Sequence, residues 1–375
     1  MSAPRYHAVD NLRTGMMFVV MFGHPLLPYV TVPRSFKDPS AHPAMDVVAV
    51  FLYAFAMQAF FVTAGFAAAL ILDRKGMRGL WQNRLTRIFV PLLGAYLILS
   101  PLTRGAYTFS KGVIAGDSLS AGLAAFATLE WLRWSKLYHL WFLLSLLLFT
   151  ALAVAWVMLL RHAGIAIVVR QAAARWLAGW SGFLMLLALA AITTIPAYID
   201  ATGDGTHWAM QITLLGYFSL GWLMYLEQDL IRFWQTRWRL PAATALVSLP
   251  ICVWASRVRL FNENDIDVPF GIVAGVSNAA IGLAMTVALI GWFHVHWERT
   301  TATSRLLNQA SYWVYLIHYP VVIAAGGIVA IVTAPAVVKY LLTLVIAIPV
   351  IALTFTVLVL GTPLRGLLVG GPRRD

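Results

Sequence analysis

A single cysteine, Cys252, in 375 residues excludes an intramolecular disulfide framework and any metal cluster held by thiolates. It stands among apolar residues, far from the motifs described below, and reads as packing rather than chemistry. Charge is scarce as well. Only 11% of residues are Asp, Glu, Lys or Arg, less than half the share usual in soluble domains. The sequence contains no low-complexity tail, no repeat of fixed period and no long polar stretch able to fold by itself. Chemistry is therefore expected between helices or in short loops.

What the chain has in quantity is apolar sequence. Hydrophobic residues make up 61%, and the mean hydropathy is +0.79. They recur in runs of about twenty residues, the length that crosses a bilayer as helix. The pattern predicts an all-α polytopic membrane helix bundle forming one domain over residues 1–375. Ten spans are expected, near 14–33, 47–72, 88–104, 137–160, 177–198, 208–226, 240–256, 271–297, 310–332 and 336–360. Residues 105–136 include an aromatic run, Glu130 to Trp134, which predicts a helix lying at the interface. The first apolar run has no small-residue cleavage site and contains Pro25 and Pro28, so it is expected to stay as a span.

The net charge of +12 would suggest a nucleic-acid partner in a soluble chain. Here the basic residues fall in loops between apolar runs, where insertion asymmetry and the inner leaflet select them, and no nucleic acid is expected. Placing both termini in the cytoplasm puts Lys and Arg on that side two to one, with nine of the 27 outside. The cytoplasmic group includes Arg13, Arg74, Lys75, Arg78, Arg84 and Arg87.

His24 lies deep in the first apolar run, and Arg13 precedes it by eleven residues. At about 100° per residue, eleven helical steps return to within roughly 20° of the same face, with a rise of about 16 Å. The arginine marks the water boundary and the histidine the interior. A titratable group inside the membrane calls for an explanation. Pro25 cannot donate to Met21, nor Pro28 to the carbonyl of His24, so a kink should leave polar backbone around the imidazole. Such irregularity is tolerated where backbone lines a cavity. A hydrogen bond to a neighbouring helix is the bland alternative.

Arg84 and Arg87, spaced i, i+3 before the third span, would stand side by side on an α-helix. Two forked guanidinium groups suit phosphate oxygens, although arginines at cytoplasmic helix ends also serve topology alone. His318, two residues before Pro320, is a candidate polar contributor or a packing hydrogen bond. His139 and Trp141 open the fourth span, where the tryptophan could stack on a sugar or anchor the interface. Asp46 is a candidate partner for His24. His294 and His296, two apart on a helix, face different ways, and no metal site is expected. The polar stretch Asn262, Glu263, Asn264, Asp265, Asp267 lacks a full calcium-loop signature and reads as a solvated loop, with sugar contact as the alternative.

Five motifs in order resemble the acyltransferase family 3 membrane proteins, and within them the glucan-biosynthesis type. They are Asp10-Asn-Leu-Arg13 followed by His24, Phe60-Phe-Val-Thr-Ala-Gly65-Phe66, Arg84-x-x-Arg87 leading into Ile88-Phe-Val-Pro91-Leu92, His139-Leu-Trp141-Phe142-Leu143, and Ser311-Tyr-Trp313-Val-Tyr315-Leu-Ile-His318. The likeness covers nearly the whole chain. Thr14 departs from the glycine common after the arginine, with Gly15 one place later. The resemblance implies transfer of an acetyl or succinyl group from cytoplasmic acyl-coenzyme A to a hydroxyl of an extracytoplasmic carbohydrate, in the inner membrane of a bacterium. It implies no permanently bound cofactor. It also makes the arginine and histidine motifs necessary for activity, with Asp10 a possible contributor.

The helix geometry suits that chemistry. Arg84, Arg87 and Arg13 are expected to hold phosphates while an extended pantetheine arm climbs towards His24, the expected general base. Neither a reactive cysteine nor a G-x-S-x-G elbow is present, so direct transfer is the simpler model. The rival from another class is a transporter or flippase for a glycan, lipid or acyl intermediate, which buried His and Arg along a polar path would also suit.

Overall fold

The computed structural model describes residues 6–32, 36–134, 136–200, 207–261, 268–299 and 301–369. Among them there is helix and no strand. The polar stretch Asn262 to Asp267 lies outside the described residues.

Helix α1, His7–Gly23, stops where the prolines begin, and the chain continues as a 3-10 turn over His24–Tyr29, with Pro25 in its first turn and Pro28 inside it. The kink expected from the missing N–H groups is there, and it falls at His24. Helix α2, Pro43–Arg84, turns at Gly76, whose φ of 64° costs glycine little. A π-helical segment, Leu85–Phe89, leads into α3, Val90–Gly116, which ends at Asp117 in the left-handed conformation. Helix α4, Leu119–Ala127, is capped by Ser118, whose Oγ accepts from the Ala121 N–H at 3.2 Å. A 3-10 turn at Tyr138–Leu140 introduces α5, Trp141–His162. There follow α6 Ala166–Leu177, α7 Gly179–Ile199, α8 Trp208–Leu226, α9 Asp229–Arg237, α10 Arg239–Phe261, α11 Val268–His296, α12 Ala302–Ala330, α13 Ala336–Thr354 and α14 Leu364–Leu368.

The protein is a polytopic helical bundle. Eight helical stretches among the described residues are long and apolar enough to cross a bilayer. The difference from ten has two sources. Pro43–Gly116 forms one stretch of 74 residues, far longer than one crossing needs, and it contains both the second and third expected spans. Helix α1 has 17 residues before its proline turn, short of a full crossing by itself. The interfacial helix expected around Glu130–Trp134 is not present. Those residues form a turn and irregular chain, and the short helix of this region is α4. Trp131 folds back instead, stacking on Phe126 at 4.6 Å and donating from Nε1 to the Phe126 carbonyl at 2.7 Å.

Contacts divide the chain into two compact units. The first comprises residues 1–16, 50–82 and 145–301. Within it α2 and α8 meet without side chains between them. A Cβ built on Gly65 would run into the Phe218 carbonyl oxygen, and one on Gly221 into that of Val62, so both glycines serve close helix approach. Cys252 is buried here and its thiol donates to the Ala274 carbonyl at 3.7 Å, which fits a packing role.

The second unit comprises residues 17–49, 83–144 and 302–375. Two of its prolines free carbonyls that aromatic N–H groups then fill. Pro101 withholds a donor from Leu97, and Trp134 Nε1 donates to the Leu97 carbonyl at 2.9 Å. Pro320 withholds one from Leu316, and His139 Nε2 donates there at 3.0 Å.

Candidate functional site

The second unit gathers His24, His139 and His318, three residues far apart in sequence. His24 sits at the start of the 3-10 turn, half-buried, while His139 and His318 are buried. The His24 and His318 ring centroids lie 4.9 Å apart, and those of His139 and His318 5.3 Å apart. No group of three or more His, Cys, Asp or Glu among the described residues is arranged to hold a metal ion. Here each ring has a nitrogen bound to another ring or to the backbone, while His139 Nδ1 is buried without a hydrogen-bond partner among the described residues. His24 Nδ1 lies 3.0 Å from the Val20 carbonyl and 2.9 Å from His318 Nε2. His318 Nδ1 donates to the carbonyls of Val314 and Tyr315, each at 2.9 Å. His139 is tied twice to α12, by its Nε2 bond to Leu316 and by the Tyr315 hydroxyl, which donates to the His139 carbonyl at 2.7 Å.

Tyrosines surround the cluster. Tyr319 stands edge-on to His24 at 4.7 Å and lies 5.0 Å from the His139 ring. Its hydroxyl shares a 2.9 Å hydrogen bond with that of Tyr107, and Tyr138 stacks near Tyr107 at 6.1 Å. All three are half-buried, so the rings form a wall beside His24 that retains some access. Tyr138 has a φ of 47°, an uncommon conformation for a bulky residue and one that gathers at functional sites.

The turn bearing His24 is clasped by α13. Lys339 Nζ donates to both oxygens of Asp38 and to the Ala330 carbonyl, each at 3.0 Å, which uses all three of its protons. Asp38 also accepts from the backbone and hydroxyl of Ser40, and its own N–H donates to the Pro28 carbonyl at 2.9 Å. The Thr343 hydroxyl donates to the Lys339 carbonyl, so Tyr29 is the donor in the 3.2 Å bond between Tyr29 and Thr343. Tyr340 donates to the Phe22 carbonyl at 3.1 Å. Asp46, a candidate partner for His24 on sequence grounds, receives the N–H of Thr31 at 2.7 Å and also its hydroxyl, which fixes the chain leaving the turn.

Arg84 immediately precedes the π-helical segment and Arg87 lies within it. A π turn takes about one residue more per revolution than an α turn, so i, i+3 positions no longer stand side by side. Arg84 is buried, whereas Arg87 Nη1 donates to the Leu367 carbonyl of α14 at 2.8 Å. Asp10 and Arg13 belong to the first unit, where they form a half-exposed i, i+3 ion pair of 3.4 Å. Trp141 opens α5 half-buried, and its neighbour Phe142 meets Tyr315 edge-on at 5.7 Å. His294 and His296 each hydrogen-bond a carbonyl four residues back, of Ile290 and Trp292.

Lys339, Asp38 and the tyrosine wall do not figure among the residues singled out from sequence. The lysine carried a signal, being an ionisable group in an apolar run. The tyrosines carried none, since half-polar aromatics are ordinary at helix ends.

The model of the Acyl_transf_3 family, described as an acyltransferase domain, matches residues 6–361. Similar curated proteins include glucans biosynthesis protein C of Salmonella schwarzengrund (strain CVM19633), 26% identical over 339 residues that make up 87% of this chain and 84% of that protein. The protein of the same name from Salmonella typhimurium (strain LT2) has the same identity and coverage, and that of Salmonella paratyphi B (strain ATCC BAA-1250 / SPB7) is 25% identical over 335 residues. No solved structure matches the chain. With nearly its whole length matched and its helices those of a membrane bundle, the chain belongs to the acyltransferase 3 family and is a multi-pass membrane acyltransferase.

Proposed function

We propose that the protein transfers an acetyl or succinyl group from cytoplasmic acyl-coenzyme A to a hydroxyl of an extracytoplasmic carbohydrate, in the inner membrane of a bacterium. The observation that carries this is the state of His24, a half-buried imidazole at a helix break whose Nδ1 is engaged by the Val20 carbonyl and His318. Its other nitrogen, Nε2, is the base. The acceptor oxygen attacks the thioester carbonyl carbon while its proton passes to Nε2, the new C–O bond forms, the C–S bond breaks, and the leaving thiolate takes the proton away. Arg84 and Arg87 hold the phosphates of the donor, as forked guanidinium groups do. The tyrosine wall beside His24 offers faces on which a sugar ring packs. A carbohydrate acceptor also draws support from the similar proteins, whose names refer to glucans. The buried, hydrogen-bonded Cys252 favours direct transfer over an acyl-enzyme.

The test is labelled transfer from acetyl- and succinyl-coenzyme A in membranes holding the wild type or Arg84→Ala/Arg87→Ala, with total glycan extract as acceptor. Label should reach glycan with the wild type, and the double variant should need about 100-fold more donor, since two charge-assisted contacts worth about 1.5 kcal/mol each are lost. No transfer from either donor to any extract would overturn the proposal in favour of transport.

A further inference from the structure

We infer that His318 is the positioning partner of His24, setting its tautomer and bearing part of its charge during transfer; this rests on His24 being the base. Carbonyl oxygens only accept. His318 Nδ1, 2.9 Å from two of them, therefore carries a hydrogen, and in the neutral ring the lone pair lies on Nε2. That lone pair faces His24 Nδ1 at 2.9 Å, and the Val20 carbonyl faces the same atom at 3.0 Å. Two acceptors converge on one nitrogen, so His24 Nδ1 carries a hydrogen shared between them. The opposite tautomer would point three lone pairs at one another. Backbone carbonyls thus dictate the state of both rings, and the lone pair of His24 is left on Nε2, the atom the proposed chemistry needs.

The chain of consequences continues through transfer. When Nε2 takes the acceptor proton, the imidazolium's Nδ1–H bond to His318 Nε2 strengthens, because one partner is now ionised. His318 passes that polarisation to the Val314 and Tyr315 carbonyls, the negative ends of local peptide dipoles. No atom is gained or lost by the pair, since the proton leaves from His24 Nε2 with the thiolate. A carboxylate would orient a histidine equally well. Inside a membrane, however, it would be a buried charge through the whole resting cycle, whereas a neutral imidazole is charged only by induction and only during reaction. His139 packs against His318 as well, with ring centroids 5.3 Å apart and its own Nε2 spent on the carbonyl freed by Pro320.

The experiment uses the full chain in lipid nanodiscs, with ¹⁵N-histidine spectra of the resting enzyme and steady-state kinetics of three variants. In the wild type His24 should be protonated at Nδ1. His318→Leu removes the acceptor and should lower kcat about 100-fold with KM for acyl-coenzyme A within twofold, as His24 redistributes between tautomers. His318→Gln can present an amide oxygen near the place of Nε2 and should recover kcat to within about tenfold of the wild type. A wild-type His24 protonated at Nε2 overturns the inference outright, and does so even if His318→Leu fails to fold. So does an unchanged kcat in His318→Leu, or a loss that His318→Gln does not restore while the His24 signal keeps its tautomer. Full activity in the third variant, His24→Ala, would instead remove the base itself, which separates the failure of that proposal from the failure of this one.

Discussion

Lys339 lies in α13, an apolar helix of 19 residues, where an ammonium group is costly unless its charge is met. Asp38 meets it, with only 6% and 1% of the two side chains exposed. Removing one partner leaves the other as an uncompensated buried charge. Lys339→Met is therefore expected to cost about 3–5 kcal/mol and to lower the melting temperature in detergent, with the Asp38→Asn/Lys339→Met pair recovering most of the loss. Equal melting of the single and double variants would show that charge balance is not what the pair supplies. Because Asp38 also binds the Pro28 carbonyl, the single variant should loosen the turn that bears His24 and reduce transfer as well. The histidine at position 24 was legible in sequence from its apolar setting and its prolines. His318 was marked as a candidate too, but its pairing with His24 was not, because 294 residues separate them and no local pattern marks two rings that meet only after folding.

Among the helices, breaks do most of the positioning. Pro320 frees the Leu316 carbonyl and His139 fills it, so Pro320→Ala should restore the helical N–H and set it in competition with His139. The expected result is a melting temperature equal to or above that of the wild type together with a several-fold lower kcat; unchanged kcat would show that His139 needs no such acceptor. Close packing of α2 on α8 predicts a different outcome for Gly65→Ala. The added Cβ meets backbone rather than a flexible side chain, so a loss of about 1–3 kcal/mol is expected in thermal or denaturant unfolding. The motif Phe60 to Phe66 was visible in sequence, and the structure gives its glycine a physical reason. The register of Arg84 and Arg87 was not visible. Sequence spacing assumes an α-helix, and the π-helical Leu85–Phe89 segment sends one arginine inward and the other to α14. The same limit applies to Glu130–Trp134, where an aromatic composition typical of interfacial helices belongs to chain that folds back on α3 and α4.

For the protein as a whole, composition alone was enough for the class, since 61% apolar residues in long runs leave no other reading than a membrane bundle. Orientation rests on the distribution of Lys and Arg, and the single cysteine makes it directly testable. In a Cys252→Ser background, Lys75→Cys should react with a membrane-impermeant maleimide only after permeabilisation, and Ser120→Cys should react in intact spheroplasts. The reverse pattern would invert the assignment of sides and with it the cytoplasmic donor. The most direct measurement concerns His24 itself. Purified wild type and His24→Gln in nanodiscs would be compared in two assays, equilibrium binding of acyl-coenzyme A and single-turnover transfer to the acceptor glycan. If His24 is the general base, binding should agree within twofold while transfer falls by about 10²- to 10⁴-fold. Transfer at the wild-type rate by His24→Gln would contradict it.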